Sequence, residues 1–195
     1  MSDPELPYRL FWPDLENHAT ALGYLCMNFA TMEFTVASFM TEVLGIEEEA
    51  GRAIIDATGS KFEAKGQLLL KFLSITEIDK QFFSEVEALV NYASNTICPV
   101  RNRLVHDLWA SGVNDAVQID SRAQLKRQGA HTAKAIGPRA KVVRPLEKIW
   151  LLVQDVIEIN AHLTRRWQAY VLWKHQGQPV QHLPLPTFHH ISRYQ

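Results

Sequence analysis

Cysteine is scarce in this chain. Cys26 and Cys98 stand far apart with no C-x-x-C spacing. Each lies in an apolar helical context, so two buried free thiols in a reducing, cytoplasmic compartment are expected. No basic run followed by an apolar core opens the sequence, so no secretory leader is expected. A phosphate-cradling glycine loop is missing, as is G-x-S-x-G, which leaves NTPase, dinucleotide-enzyme and α/β-hydrolase readings without support. His175, His182, His189 and His190 crowd the C-terminus, but their spacings match no common ligand set, so no metal site is expected. Long apolar runs are lacking too. The nearest, Ala19 to Thr41, carries Glu33 and interior Asn28, Thr31, Thr35 and Ser38 between acidic flanks, which suits a helix buried nearly all round better than a membrane span. With a formal net charge of −1, the whole molecule is no polyanion binder by bulk charge.

What is present suits one soluble domain of 195 residues, 47% hydrophobic and 21% charged. Residues 1 to 13 carry three prolines and read as extended, with Leu10, Phe11 and Trp12 as an apolar lid. Asp14 is placed to cap a helix ending at Gly45, with a core stripe of Leu15, Leu22, Leu25, Phe29, Met32, Val36, Phe39 and Val43. Short helices follow over 47 to 57 and 61 to 74. A fourth helix opens at Ile78 or Asp79 and runs to about residues 110 to 112. Within 112 to 145, Val117 and Ile119 alternate with polar residues and residues 140 to 143 offer a partner, so a β-hairpin insert is expected there. Pro145 then starts a long helix to about Lys174, with more apolar surface than one neighbour needs. The tail, 177 to 195, reads as extended or disordered. The expected fold is therefore an all-α domain over 14 to 176 with a small β insert.

Charge is unevenly spread. Residues 1 to 63 hold eleven acids and three bases, while residues 121 to 146 hold seven bases and no acid. Arg122, Lys126 and Arg127 belong to that basic segment. It either tracks phosphates at one wall of a cleft or balances the acidic half from a solvated loop.

The chain is organised around Ile97 to Trp109, I-C-P-V-R-N-R-L-V-H-D-L-W. Val86, Leu89, Val90, Ala93, Ile97, Val100, Leu104 and Leu108 recur at helical spacing. A polar line runs Asn91, Asn95, Asn102, His106, so Asn102 and His106 are neighbours one turn apart. Arg101 lies about 7.5 Å before His106 along the axis, with an arm long enough to bend toward it. Arg103 and Asp107 are a turn apart in the less favourable order for pairing. Pro99 has no N–H for the carbonyl of Asn95 and predicts a kink or a break between two helices. Glu33, the one acid on the central first helix, either finds Arg101 or Arg103 or reaches the surface.

Arg101-Asn102-Arg103-Leu104-Val105-His106 resembles the R-x4-H signature of the HEPN superfamily, in its version with Asn after the Arg. The resemblance extends over roughly Asp14 to His175. It implies a four- to five-helix bundle, often homodimeric, with two R-x4-H segments facing one cleft. Many HEPN domains are metal-independent endoribonucleases of toxin–antitoxin and anti-phage systems; others are inactive binding modules.

In that chemistry a 2′-hydroxyl loses a proton and attacks phosphorus while the leaving 5′-oxygen gains one. His106 suits either proton transfer. Arg101 suits the phosphorane charge, with Arg103 beside it. Asn102 holds the His106 ring or a phosphate oxygen, and Glu33, Asn95 and Asp107 would be supporting groups. The expectation is a metal-independent endoribonuclease without cofactor, dimeric, with RNA as substrate and an antitoxin or other protein as a further partner. Two rivals stand beside it. One is an inactive module binding RNA, a nucleotide or a protein, favoured by the acid Asp107 next to His106. The other is a helical dimer whose polar line only sets register.

Overall fold

The computed structural model describes residues 15–57, 61–106, 108–111, 116–119, 125–128, 132–135, 141–143 and 145–188. The expected lid at residues 10 to 12 and the cap at Asp14 lie outside them. The core is an all-α bundle. Helix α1 (Glu16–Leu44) ends where Gly45 turns left-handed at φ 65° and sends its N–H to the Glu42 and Thr41 carbonyls. That conformation is cheap only for glycine, so the sequence position of Gly45 sets the helix length. Helix α2 (Glu48–Ala57) is short, and α3 (Phe62–Ser74) buries Phe62, Leu69, Leu70 and Leu73.

Helix α4 (Lys80–Tyr92) starts under a side-chain cap. The Asp79 carboxylate accepts from the backbone N–H of Gln81 at 3.3 Å and of Phe82 at 3.4 Å. The rod then continues through a π-helical turn (Ala93–Ile97) into α5 (Cys98–His106). Pro99 accounts for this device. The Cys98 N–H reaches back to the Ala93 carbonyl, and Pro99 falls in the first turn of α5, where a missing N–H costs little. A π turn thus takes the place of the expected kink or break. The rod also ends sooner than residues 110 to 112. Leu108–Ser111 (β1) pairs antiparallel with Ala116–Ile119 (β2), and its ladder bonds replace helical ones.

Strand β2 pairs on its other edge with β5 (Lys141–Val143), and β3 (Leu125–Gln128) pairs with β4 (Thr132–Ala135). The last helix, α6, spans Leu146–Gln176 and closes on Gly177, again at φ 65°.

Packing directions follow from named contacts. Helices α1 and α6 run parallel: Tyr24 meets Trp150, Thr35 donates to Asn160 at 2.7 Å, Phe39 meets Tyr170, and Glu42 meets Lys174 and His175. Helix α4 runs antiparallel to α6, pairing Glu85 with Arg166 and Tyr92 with Asp155. Helices α3 and α4 approach closely at Gly66, where a Cβ would sit 2.6 Å from Val90 Cγ1. The core fills the space between these four helices, with Leu25, Met32, Leu69, Phe82, Leu89 and Leu152 among its buried side chains. No helix among the described residues is long and apolar enough to cross a membrane.

Candidate functional site

The R-x4-H segment occupies α5, at the end of the helical rod. Leu104 anchors it in the core, fully buried. Around that anchor Asn102, Arg103 and His106 are solvent-exposed, and Arg101 is half-buried. Asn102 and His106 keep their one-turn stacking because α5 is regular across both. The upstream half of the polar line fares differently. The π turn inserts one residue into the repeat, which advances the register by about 100°. Asn95 is exposed on that turn, while Asn91 faces α3 and accepts from Gln67 at 3.5 Å.

Arg101 is held in an arrangement absent from the sequence pattern. Its guanidinium carbon lies 4.9 Å from the centroid of the Phe29 ring on α1. Its Nη1 donates to Asn102 Oδ1 at 3.0 Å. The stacked ring fixes the plane of the cation, and Asn102 fixes its rotation. Nε is buried and makes no hydrogen bond. A buried donor left unmade costs about 1–3 kcal/mol, which this placement of Arg101 bears.

The ion pairs formed among the described residues do not include Glu33 with Arg101. Glu33 is half-buried and acts at a distance. Burial first, then the charges of Glu63 and Glu33, push the buried Cys98 thiol up to about 12 against the opposing pull of Arg101. Cys98 is therefore a protonated packing group and no nucleophile. Both cysteines are free.

Other proposed site residues stand apart from this picture. Lys126 and Arg127 fall on β3. Asp107 and Arg122 lie outside the described residues. No group of three His, Cys, Asp or Glu side chains that could hold a metal occurs among the described residues.

A second polar cluster went unread in the sequence. Arg166 on α6 is fully buried. Its Nε and Nη2 contact Glu85 Oε2 at 3.1 and 2.9 Å, Nη2 donates to the Leu183 carbonyl at 2.7 Å, and Nη1 donates to the His162 carbonyl at 3.2 Å. Burial lowers the Arg166 pKa while Glu85 supports its charge. His162 Nδ1 also lies 3.2 Å from Arg166 Nη1. Burial, then the charges of Arg166 and Arg165, depress its pKa, so it stays neutral and accepts. Further along, Tyr92 reaches the fully buried Asp155 at 3.5 Å, and burial with the Asp155 charge pushes the phenol up to about 12. The signal for Arg166 and Glu85 was available. Each sits at core spacing, Arg166 between Leu163 and Tyr170 and Glu85 between Phe82 and Leu89, and their charges are opposite.

Compared with family models, curated proteins and solved structures, the chain gives no significant match.

Proposed function

We propose that this chain is a metal-independent endoribonuclease of HEPN type, working as a homodimer whose two R-x4-H segments share one cleft. His106 transfers the proton, Arg101 stabilises the phosphorane, and Asn102 orients them. Arg103 and the basic residues Arg122, Lys126 and Arg127 would guide the RNA backbone. The setting is a cytoplasmic toxin or defence system with an antitoxin or other protein as partner.

One observation carries the reading. A half-buried arginine is clamped between Phe29 and Asn102, on the same short helix as an exposed histidine. An oriented guanidinium and a solvent-accessible imidazole on one helix are the two groups that phosphoryl transfer to a 2′-hydroxyl needs.

The rival, a catalytically inactive module binding RNA, a nucleotide or a protein, also has an observation in its favour. Glu33 and Glu63 act electrostatically on Cys98, one turn of α5 before Asn102. Negative charge there opposes a phosphate.

The test is cleavage of labelled RNA with EDTA present. Wild type should leave 2′,3′-cyclic phosphate ends, and His106→Ala should cut about 10²–10⁴-fold more slowly. Equal cutting by both would assign the activity to a contaminant. Absence of cutting by a folded wild-type dimer would transfer the reading to the binding module.

A further inference from the structure

The chain does not stop at α6. Residues 177 to 188 turn back at Gly177 and run extended along the groove between α4 and α6. Backbone and side-chain contacts seat them. The Leu183 N–H donates to Glu85 Oε2 at 3.3 Å and its carbonyl accepts from Arg166 Nη2 at 2.7 Å. The buried ion pair thus grips the backbone of one residue through both its N–H and its carbonyl. Five residues on, Phe188 stacks on Tyr92, with ring centroids 3.7 Å apart and planes 10° from parallel.

Immediately before Leu183 lies the single ionisable side chain of the segment, His182. Its Nε2 is 3.1 Å from Asp79 Oδ2, and its Nδ1 is 3.3 Å from Glu85 Oε1. The Nδ1 contact with Glu85 is a hydrogen bond, and the Nε2 contact with Asp79 is an approach at ion-pair distance. Only the imidazolium carries a positive charge that both carboxylates attract.

We propose that residues 177 to 188 form a proton-gated strap. A proton on His182, between Asp79 and Glu85, seats the segment in the α4/α6 groove, and loss of that proton loosens it.

The charged neighbours are few enough to assign. From the α4 side the ring meets Asp79 and Glu85, with Gln81 donating to Glu85 Oε1 at 3.4 Å. From α6 come Arg166 and His162, while Arg165 lines a pocket between α6 and the segment itself, with Gln178, Pro179, Gln181 and Leu183. The Arg166 charge is engaged by Glu85 and the Leu183 carbonyl, and His162 is held neutral. Asp79 therefore carries the uncompensated negative charge that the protonated ring answers. Asp79 also caps α4, so the proton ties the strap to the start of the helical rod that ends in α5. Both His182 and Asp79 are partly exposed, at 39% and 47%. The gate is accordingly modest: it changes how often the strap opens and leaves the bundle intact.

The Leu183 amide is the natural reporter because its N–H is bonded only while the strap is seated. Its hydrogen-exchange protection factor, which already removes the intrinsic pH dependence of exchange, would be followed in the full chain from about pH 5.5 to about pH 8.5. Core amides such as that of Leu163 would report global opening. Protection at Leu183 should fall about threefold to tenfold relative to the core as pH rises. His182→Asn should flatten that profile. Asp79→Asn, which keeps a capping side chain, should make it shallower. A flat wild-type profile, an equally steep one in His182→Asn, or no protection at any pH would overturn the proposal.

Discussion

Replacing Arg166 by methionine tests a fully buried polar interaction in the bundle. The side chain is fully buried, and its partner Glu85 is 10% exposed. The substitution keeps much of the volume but deletes the contacts to Glu85, the Leu183 carbonyl and the His162 carbonyl. Glu85 is then a buried carboxylate facing only the Leu183 N–H, Gln81 and His182. Removing one member of a buried pair costs about 3–5 kcal/mol, because the stranded charge loses its compensation while its desolvation persists. For 195 residues, each kcal/mol moves Tm by about 2–4 °C, so Arg166→Met should melt about 10 °C lower. Glu85→Leu should cost a similar amount. The double variant Glu85→Leu/Arg166→Met should be more stable than either single one, since neither charge is then left buried. Urea unfolding of the four proteins measures the cycle. The reasoning fails if Arg166→Met loses less than about 1 kcal/mol, or if the double variant loses the sum of the singles.

Three further outcomes follow from other contacts. Gly66→Ala should destabilise by about 1–3 kcal/mol, because its new Cβ meets Val90 Cγ1 at 2.6 Å; an unchanged urea midpoint would contradict the close packing of α3 on α4. Cys98 should resist iodoacetamide near pH 8, being buried with its thiol pushed up to about 12, so Cys26 should label first in a timed mass-spectrometric assay. Glu42 should contribute to acid sensitivity. Burial works to raise its pKa, but hydrogen bonds from His175 and Lys174 outweigh it and hold the carboxyl below its usual range. Its contribution to stability is thus complete above the unfolded carboxylate pKa of about 4.3 and lost as pH falls through the lower folded value. Urea midpoints taken down through that range should drop less steeply in Glu42→Gln than in wild type.

The helical elements were legible because their causes are local. Leu25, Phe29, Met32, Val36 and Phe39 repeat at helical spacing and are all buried on α1. Gly45 marks the end of that helix by backbone sterics alone. The R-x4-H residues were readable as a cluster on a helix, with Asn102 and His106 on one face, since a single turn fixes that relation.

The rest depended on partners distant in sequence. Pro99 predicts a disruption, yet whether the rod kinks, breaks or takes a π turn depends on how Ala93, Ser94 and Ile97 pack inside the bundle, where all three are buried. The aim of Arg101 depended on Phe29, which belongs to α1 and is distant in sequence. Arg166 and Glu85 lie 81 residues apart, and nothing in either local sequence names the other.

By itself, then, the sequence determined where the helices begin, which stripes are apolar and that one helical face carries the asparagine and histidine beside the arginine. Periodicity and steric punctuation act over a few residues and need no partner. Only the tertiary structure decided which buried charges meet, how Arg101 is clamped and where residues 177 to 188 lie. Those outcomes rest on desolvated contacts between separate elements, whose energies exist only once the elements have packed.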